Sequence, residues 1–330
     1  MPESFARFWR SHEFRLLIVI VVLVLLLSLA TDSFLTFQNL FDLLTSYAFL
    51  GILAAGLLVV LISGGIDISF TATASIAQYI TMLLANRYGL DWFSVFALAI
   101  TIGVICGAIN AILIDRLNIS SIIVSIATLN IFYGLLVFIT GGKYIYSLPD
   151  WFSKGIYWFE YIDPNEISYG INLQILALVV MLVVTWGILN RTNIGRQIYA
   201  LGGNREAAQR LGFNVFRLNL LVYCYIGLTA GVASLTQAQL AQSVAPTVLV
   251  GKELDVLAAV VLGGASLSGG VGTVFGTILG LTLLAVMQNG LVLIGVSSYW
   301  SQFFVGLVIL ISVSATALSS RRQRKGSVTA

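Results

Sequence analysis

Leu44-Thr-Ser-Tyr-Ala-Phe-Leu-Gly-Ile-Leu-Ala-Ala-Gly-Leu-Leu-Val-Val-Leu-Ile-Ser63, followed at once by Gly64-Gly65-Ile66-Asp67-Ile68-Ser69, decides how the whole chain is read. The first part is an uncharged run of the length that crosses a hydrocarbon core, roughly 20 residues. The glycine pair then breaks the helix, because two adjacent residues without Cβ atoms favour a turn. Asp67 stands where it can cap the start of a following helix. Span, break and span is the grammar of a polytopic membrane protein.

Working outward, further runs of this kind fall near 16–33, 68–86, 92–114, 122–140, 171–190, 218–240, 256–274, 275–294 and 300–319, which with 44–63 makes ten. Gly263, Gly264, Gly269, Gly270 and Gly272 interrupt the eighth. All four prolines lie outside the apolar cores, as expected where lipid cannot replace a lost backbone bond. Bulk chemistry agrees. Apolar residues make up 58% of the 330 and charged residues 9%, against roughly 25% charged in soluble domains. Mean hydropathy is +0.98. The expected fold class is therefore all-α, a polytopic membrane helix bundle of about ten transmembrane helices.

Orientation follows from lysine and arginine in the loops. With the N-terminus in the cytoplasm and ten alternating spans, 13 of the 17 basic residues fall inside and 4 outside, these being Arg87, Lys143, Lys154 and Lys252. Both termini are then cytoplasmic. The chain divides into an N-terminal segment (1–15), a transmembrane domain (16–319) and a basic tail (320–330). Within the domain lie a cytoplasmic loop (191–217) and an acidic, aromatic outer loop (141–170). Arg7, Arg10 and Arg15 before the apolar run, with Ser28-Leu29-Ala30 after it, also fit a cleaved signal peptide.

Mid-membrane ionisable residues mark proton and ion relays. Here Asp67, Asp115 and Asp255 are read at span ends, and the interior polar groups are neutral: Gln78, Asn110, Asn130, Gln237, Gln239, Gln288 and Asn289. Thr71, Ser75 and Gln78 share one helical face by their i, i+4, i+7 spacing. Such a face suits a path for a neutral polyhydroxyl solute, with Asn130 and Gln237 approaching it. The alternative is that these groups hydrogen-bond neighbouring helices as packing glue. Gly51…Gly56, Gly103…Gly107 and Gly276…Gly280 present small-residue faces for close helix approach.

Two cysteines and one histidine offer neither a disulfide framework nor a metal site. The spans show no His/Cys or paired-carboxylate constellation for catalysis. The run from Gly263 to Gly280 lacks the Gly-Lys-Ser/Thr ending of a phosphate loop, and Gly142-Lys143 is followed by Tyr144. No cofactor is expected, nucleic acid is not a partner, and any ATPase is a separate subunit.

In the cytoplasmic loop, Asn204 is an N-cap, Arg205 to Leu211 a two-turn helix with Ala207 and Leu211 on one face, and Gly212 its stop. A helix this short needs packing, such as against a partner; the alternative is an ordinary basic cytoplasmic loop. In the outer loop nine aromatics suit the headgroup zone or a docking surface. Leu262-Gly263-Gly264-Ala265-Ser266-Leu267-Ser268 loosely repeats 63–69, too briefly to establish a duplication.

Ser63-Gly64-Gly65-Ile66-Asp67-Ile68-Ser69, the loop from Gly195 through Gly203-Asn204 to Leu211-Gly212, and Val261 to Thr273 resemble the permeases of bacterial monosaccharide ABC importers, among them the ribose and autoinducer-2 permeases. The resemblance covers roughly residues 40–320. It implies a multi-pass inner-membrane subunit, two permeases (identical or homologous) around a central path, and a periplasmic sugar-binding protein. It also implies an ATPase received at Gly203, Asn204, Arg205, Glu206, Ala207, Arg210, Leu211 and Gly212, with Gly64, Gly65, Asp67, Gly263 and Gly264 as helix breaks. Ile139 to Tyr144 and Leu148-Pro149 are similar to the autoinducer-2 and rhamnose-type members, and Phe70-Thr71-Ala72-Thr73 departs from the Val-Gly of many relatives. A branched-chain amino-acid ABC permease and a proton-coupled carrier are the competing classes.

Overall fold

The computed structural model describes residues 12–154, 157–162, 168–297, 299–300, 302–304, 306–307 and 310. The N-terminal segment up to 11, most of the expected tenth span and the basic tail lie outside the described residues.

The chain runs through α1 (His12–Ala30), α2 (Phe37–Ile62), α3 (Phe70–Tyr88), α4 (Trp92–Leu117) and α5 (Ser121–Thr140). A short α6 (Asp150–Ser153) and strands β1 (Tyr157–Ile162) and β2 (Ser168–Asn172) follow. Then come α7 (Leu173–Arg191), α8 (Asn193–Gly203), α9 (Arg205–Arg210), α10 (Val215–Ala241), α11 (Lys252–Leu262) and α12 (Val274–Leu293). Seven of these helices, α1, α2, α4, α5, α7, α10 and α12, are long and apolar enough to cross a membrane. The described chain is a helical membrane bundle.

Side-chain caps set many helix starts. Thr36, Asp91, Asn172, Thr192, Asn204, Asn214 and Thr273 each accept a backbone N–H from three residues on, which satisfies a donor the helix leaves unpaired. Bonds from Ser94 hold the Asp91 carboxyl below the usual carboxylate range.

The most buried spans are α2 and α10, and α10 packs on α2, α3 and α4. The α4–α10 contact depends on missing side chains. A methyl on Gly103 would run into the Gly227 carbonyl, and one on Gly107 into the Tyr223 carbonyl. Without Cβ atoms the backbones touch, which is how helices gain contact where lipid supplies no hydrophobic driving force. Gly276 and Gly280 bring α12 onto Gly263 and Ala259 in the same way. α1 lies along α12, where Leu27 fills the space beside Gly290.

Three features depart from the expectations. The eighth span is not a long helix: α11 has 11 residues, and its preceding stretch, 242–251, is turns and a single bridge, Val244 to Ile145. The antiparallel α11–α12 pairing puts the first turn of α11 about halfway up α12, since 11 residues rise ~16 Å and 20 residues ~30 Å. Second, Asp67 does not cap α3. That position is Ser69, and Asp67 Oδ1 instead accepts the Ser69 N–H and hydroxyl, both at 2.7 Å. Third, the outer loop holds an antiparallel hairpin, β1 with β2, in an otherwise helical chain.

The loop aromatics divide. Phe152 is fully buried beside Trp92 and Trp151. Tyr169 meets Phe37 and Phe41 edge-on. Tyr144 and Tyr146 stack on each other while exposed.

Candidate functional site

The three sequence motifs meet at one end of the bundle. The α2–α3 link (63–69), the end of α8 and the α11–α12 link (263–273) converge on a cluster of glycines. Gly270 N–H donates to Ile62 O at 2.9 Å. A methyl on Gly269 would lie 2.7 Å from Gly64 Cα and from Gly202 O, and one on Gly202 would strike Ile62 O. Tyr199 on α8 closes the cluster by donating to Gly272 O at 2.7 Å. Gly64, Gly264, Gly269 and Gly270 all hold left-handed backbone, so here glycine is required both by conformation and by contact.

The similarity of 63–69 to 262–268 has a local cause. At each site the αL glycine follows a helix end in which three successive N–H groups bond back to residues 59–61 or 259–261. The same pattern ends α9 at Gly212 and α12 at Gly295. It is a common helix stop, not evidence of duplication.

Attached to this junction is α9. Asn204 caps it by accepting the Ala207 N–H at 2.9 Å, and Gly212 follows in left-handed conformation. The face that docks on the bundle is not the one that carries Ala207 and Leu211. Ala208 is buried with Leu201, Val215 and Leu218, whereas Ala207 is exposed and Leu211 is 71% exposed. Glu206 and Arg210 pair at 3.9 Å with both side chains 84% exposed. Two charges and a leucine thus stand outward from a helix that is anchored on its other side. The helix α8, amphipathic with Ile198 and Leu201 buried, escaped sequence reasoning. Its signal is Thr192 as N-cap followed by apolar residues at helical spacing.

Behind the junction, the Asp67 carboxylate is buried. Asn110 donates from α4 to Ser69 Oγ at 2.7 Å and reaches Asp67 Oδ2 at 3.5 Å. Burial pushes the Asp67 carboxyl above the usual range, opposed by the bonds from Ser69 and Asn110.

Further up α3, Thr71, Ser75, Gln78 and Thr81 form one fully buried face. Thr71 donates to Glu253 Oε2 at 3.2 Å, and Ser75 donates to Thr71 O. Both Gln78 side-chain atoms, Thr81 Oγ1, Tyr133 OH and Gln237 Oε1 have no hydrogen-bond partner among the described residues. The Tyr133 hydroxyl lies beside Thr71 and Ser75 without meeting bonding geometry. Other neutral groups do serve as glue: Asn289 and Asn39 bond reciprocally, Tyr47 donates to Gln288, and Gln174 donates to Gln239. Asn130 is exposed on α5 and donates only to Ile126 O.

Asp255 lies at a helix end, as expected: Lys252, Glu253 and Asp255 form the first turn of the half-length α11, with the Lys252 side chain 41% and the Asp255 side chain 18% exposed. Glu253 also accepts the Gly251 N–H.

A buried polar helix face, a half-length helix and a motif-built junction at one end of a bundle of membrane-length helices are the features of a membrane permease. A family model described as "Branched-chain amino acid transport system / permease component" matches residues 39–313. The chain is 30% identical over 311 residues, 94% of each chain, to the ribose import permease protein RbsC of Escherichia coli (strain K12). It is 34% identical over 292 residues, 88% of each, to the ribose import permease protein RbsC of Bacillus subtilis (strain 168). It is also 33% identical over 303 residues, 91% of this chain and 85% of the other, to the autoinducer 2 import system permease protein LsrC of Enterobacter sp. (strain 638). No solved structure matches significantly. The chain belongs to this family of transport-system permeases.

Proposed function

We propose that the chain is the permease subunit of an ATP-driven importer for a monosaccharide or similar polyhydroxyl solute in the bacterial inner membrane. Both termini are cytoplasmic. The glycine junction then lies on the cytoplasmic side, as does α9, which receives a separate ATPase subunit through Glu206, Arg210 and Leu211. A second permease completes the path, and a periplasmic binding protein delivers solute to the outer face. The permease itself catalyses no reaction.

The observation that carries this reading is the junction. Movement of α8–α9 has to move the α2–α3 and α11–α12 links, because Gly64, Gly202 and Gly269 leave no room between the backbones. Those links lead into α3, which holds the unpartnered Gln78, and into α12. A push on α9 from outside therefore reaches the polar face.

The test is uptake in cells lacking the chain and complemented with it, using radiolabelled D-ribose, L-rhamnose and L-leucine. Sugar uptake that needs ATP and survives dissipation of the proton gradient supports the reading. Uptake of leucine alone favours the amino-acid class, and uptake driven by the proton gradient without ATP defeats both.

A further inference from the structure

Apart from the α3 face, a half-open cavity of about 500 Å³ lies among α2, α11, α12 and the segment that carries Tyr299 and Gln302; Leu43 and Val292 give it apolar wall, and Asp42, Ser46, Tyr47, Lys252, Asp255 and Gln288 its polar groups. Its size falls in the roughly 300–1,000 Å³ range of small-molecule sites. We propose that this cavity binds a neutral polyhydroxyl solute on its way through the protein. The proposal rests on the transport function above and assigns that function a binding site.

The geometry follows from the break before α11. Because the helix starts partway along α12, its first turn places Lys252 and Asp255 on the same cavity as Tyr47 of α2. Lys252 Nζ meets Asp255 Oδ2 at 3.1 Å, which leaves Asp255 Oδ1 as a free acceptor. Tyr47 donates to Gln288 Oε1 at 2.8 Å, which fixes the amide so that its N–H groups remain as donors without a partner among the described residues. Asp42 and Ser46 lie one turn apart on α2 and complete the wall.

Carboxylates accept from adjacent hydroxyls, an amide N–H₂ donates to them, and a phenol ring offers an apolar surface to the C–H face of a sugar. Two carboxylates against one ammonium give the cavity a net negative charge. An anionic solute such as a sugar phosphate is repelled, and an amino-acid carboxylate has only Lys252, already engaged, to meet it.

The test uses the full chain in complex with its ATPase, in membrane vesicles, with Cys106 and Cys224 replaced by alanine and Ser46→Cys introduced. A membrane-impermeant methanethiosulfonate labels Cys at position 46. Saturating D-ribose, D-xylose or L-rhamnose is added as protectant, with L-leucine and D-ribose 5-phosphate as controls. At least one aldose is expected to slow labelling about tenfold when present at tenfold its dissociation constant, by mass action, and neither control is. Gln288→Leu, which keeps the volume, is expected to keep the unprotected labelling rate and lose the protection. The proposal is overturned if position 46 is not labelled, if no aldose protects, if leucine protects equally, or if Gln288→Leu protects undiminished. Sugar uptake measured in the same strain separates the two claims. Intact uptake without protection removes the cavity alone, whereas absent uptake by the wild-type chain removes the transport function beneath it.

Discussion

At Gly103 the presence or absence of one methyl decides how two spans meet. Its α-carbon lies against the Gly227 carbonyl, so Gly103→Ala must push α4 off α10 along a contact that includes Gly107 and Gly231. Overpacking of this kind costs roughly 1–3 kcal/mol, and the expected result is a lower thermal midpoint for the variant in detergent. Gly134→Ala is the control: nothing lies within 4 Å of the added methyl, and alanine is the better helix former by about 1 kcal/mol, so its midpoint should hold or rise. If both variants melt alike, backbone contact is not what holds α4 on α10. Asp67 gives a second residue-scale prediction. Asp67→Ala strips the Ser69 N–H and hydroxyl of their acceptor, and leaving a buried polar group unpaired costs roughly 1–3 kcal/mol. Asp67→Asn keeps an acceptor oxygen, so its melting midpoint should fall between those of wild type and alanine. These residues were partly legible in sequence. Glycine pairs flag breaks and close contacts, and an aspartate between two spans flags a turn. What sequence spacing cannot distinguish is which donor the aspartate serves, since an N-cap and an Asx turn differ by two residues of register.

Elements show the same boundary more sharply. The long spans were legible because lipid demands a long apolar run and positions such a run almost uniquely. α11 was not: Val256 to Leu262 continues through glycines to Val274, and apolar content alone reads as one span. The left-handed glycines and the contact of Gly263 with Gly276 instead turn the chain back at 263. The unwound stretch before Lys252 is permitted because it is covered by protein, through Val244, Ala245 and Leu249, rather than by lipid. α9 is legible from its cap and stop, but which face meets the bundle is not, because a two-turn helix is too short for periodicity to fix its rotation. That rotation frames the next prediction. Exchanging Glu206→Lys together with Arg210→Glu retains an ion pair of opposite sense on an 84% exposed pair, so folding and insertion should be unchanged. Only a partner on that face senses the exchange. ATP hydrolysis by the assembled transporter is expected to lose its dependence on solute-loaded binding protein, and uptake is expected to stop. Normal uptake by this variant, at wild-type abundance in the membrane, would remove α9 as the ATPase contact.

For the molecule as a whole, polarity is distributed unevenly among the helices. The helices α3 and α11 lack the membrane signature of the long spans, and the unmet hydrogen-bonding capacity among the described residues lies at Gln78 and Thr81 on α3, at Tyr133 and Gln237, and at Asn110 and Tyr223 on α4 and α10. Burying an amide with no partner costs roughly 1–3 kcal/mol per group, which is the cost the proposed solute path would offset. One polar residue breaks the pattern. Asn130 sits among exposed Ile123, Ile126, Ile131 and Leu135 on the outer face of α5, where lipid alone would leave its amide oxygen unpaired. The second permease proposed above, if it packs on this face, would resolve the conflict and make α5 a wall of the shared path. The consequence is measurable in a chain whose two cysteines are replaced by alanine and that carries Asn130→Cys. Aqueous thiol reagents should label this position in at least one nucleotide state, and a short bifunctional maleimide should join two chains into a dimer visible on a denaturing gel. Phe138→Cys, on the same helix and 84% exposed, serves as the comparison. Should Asn130→Cys react only with membrane-soluble reagents in every nucleotide state and yield no dimer, α5 faces lipid, and the path must run within the protomer.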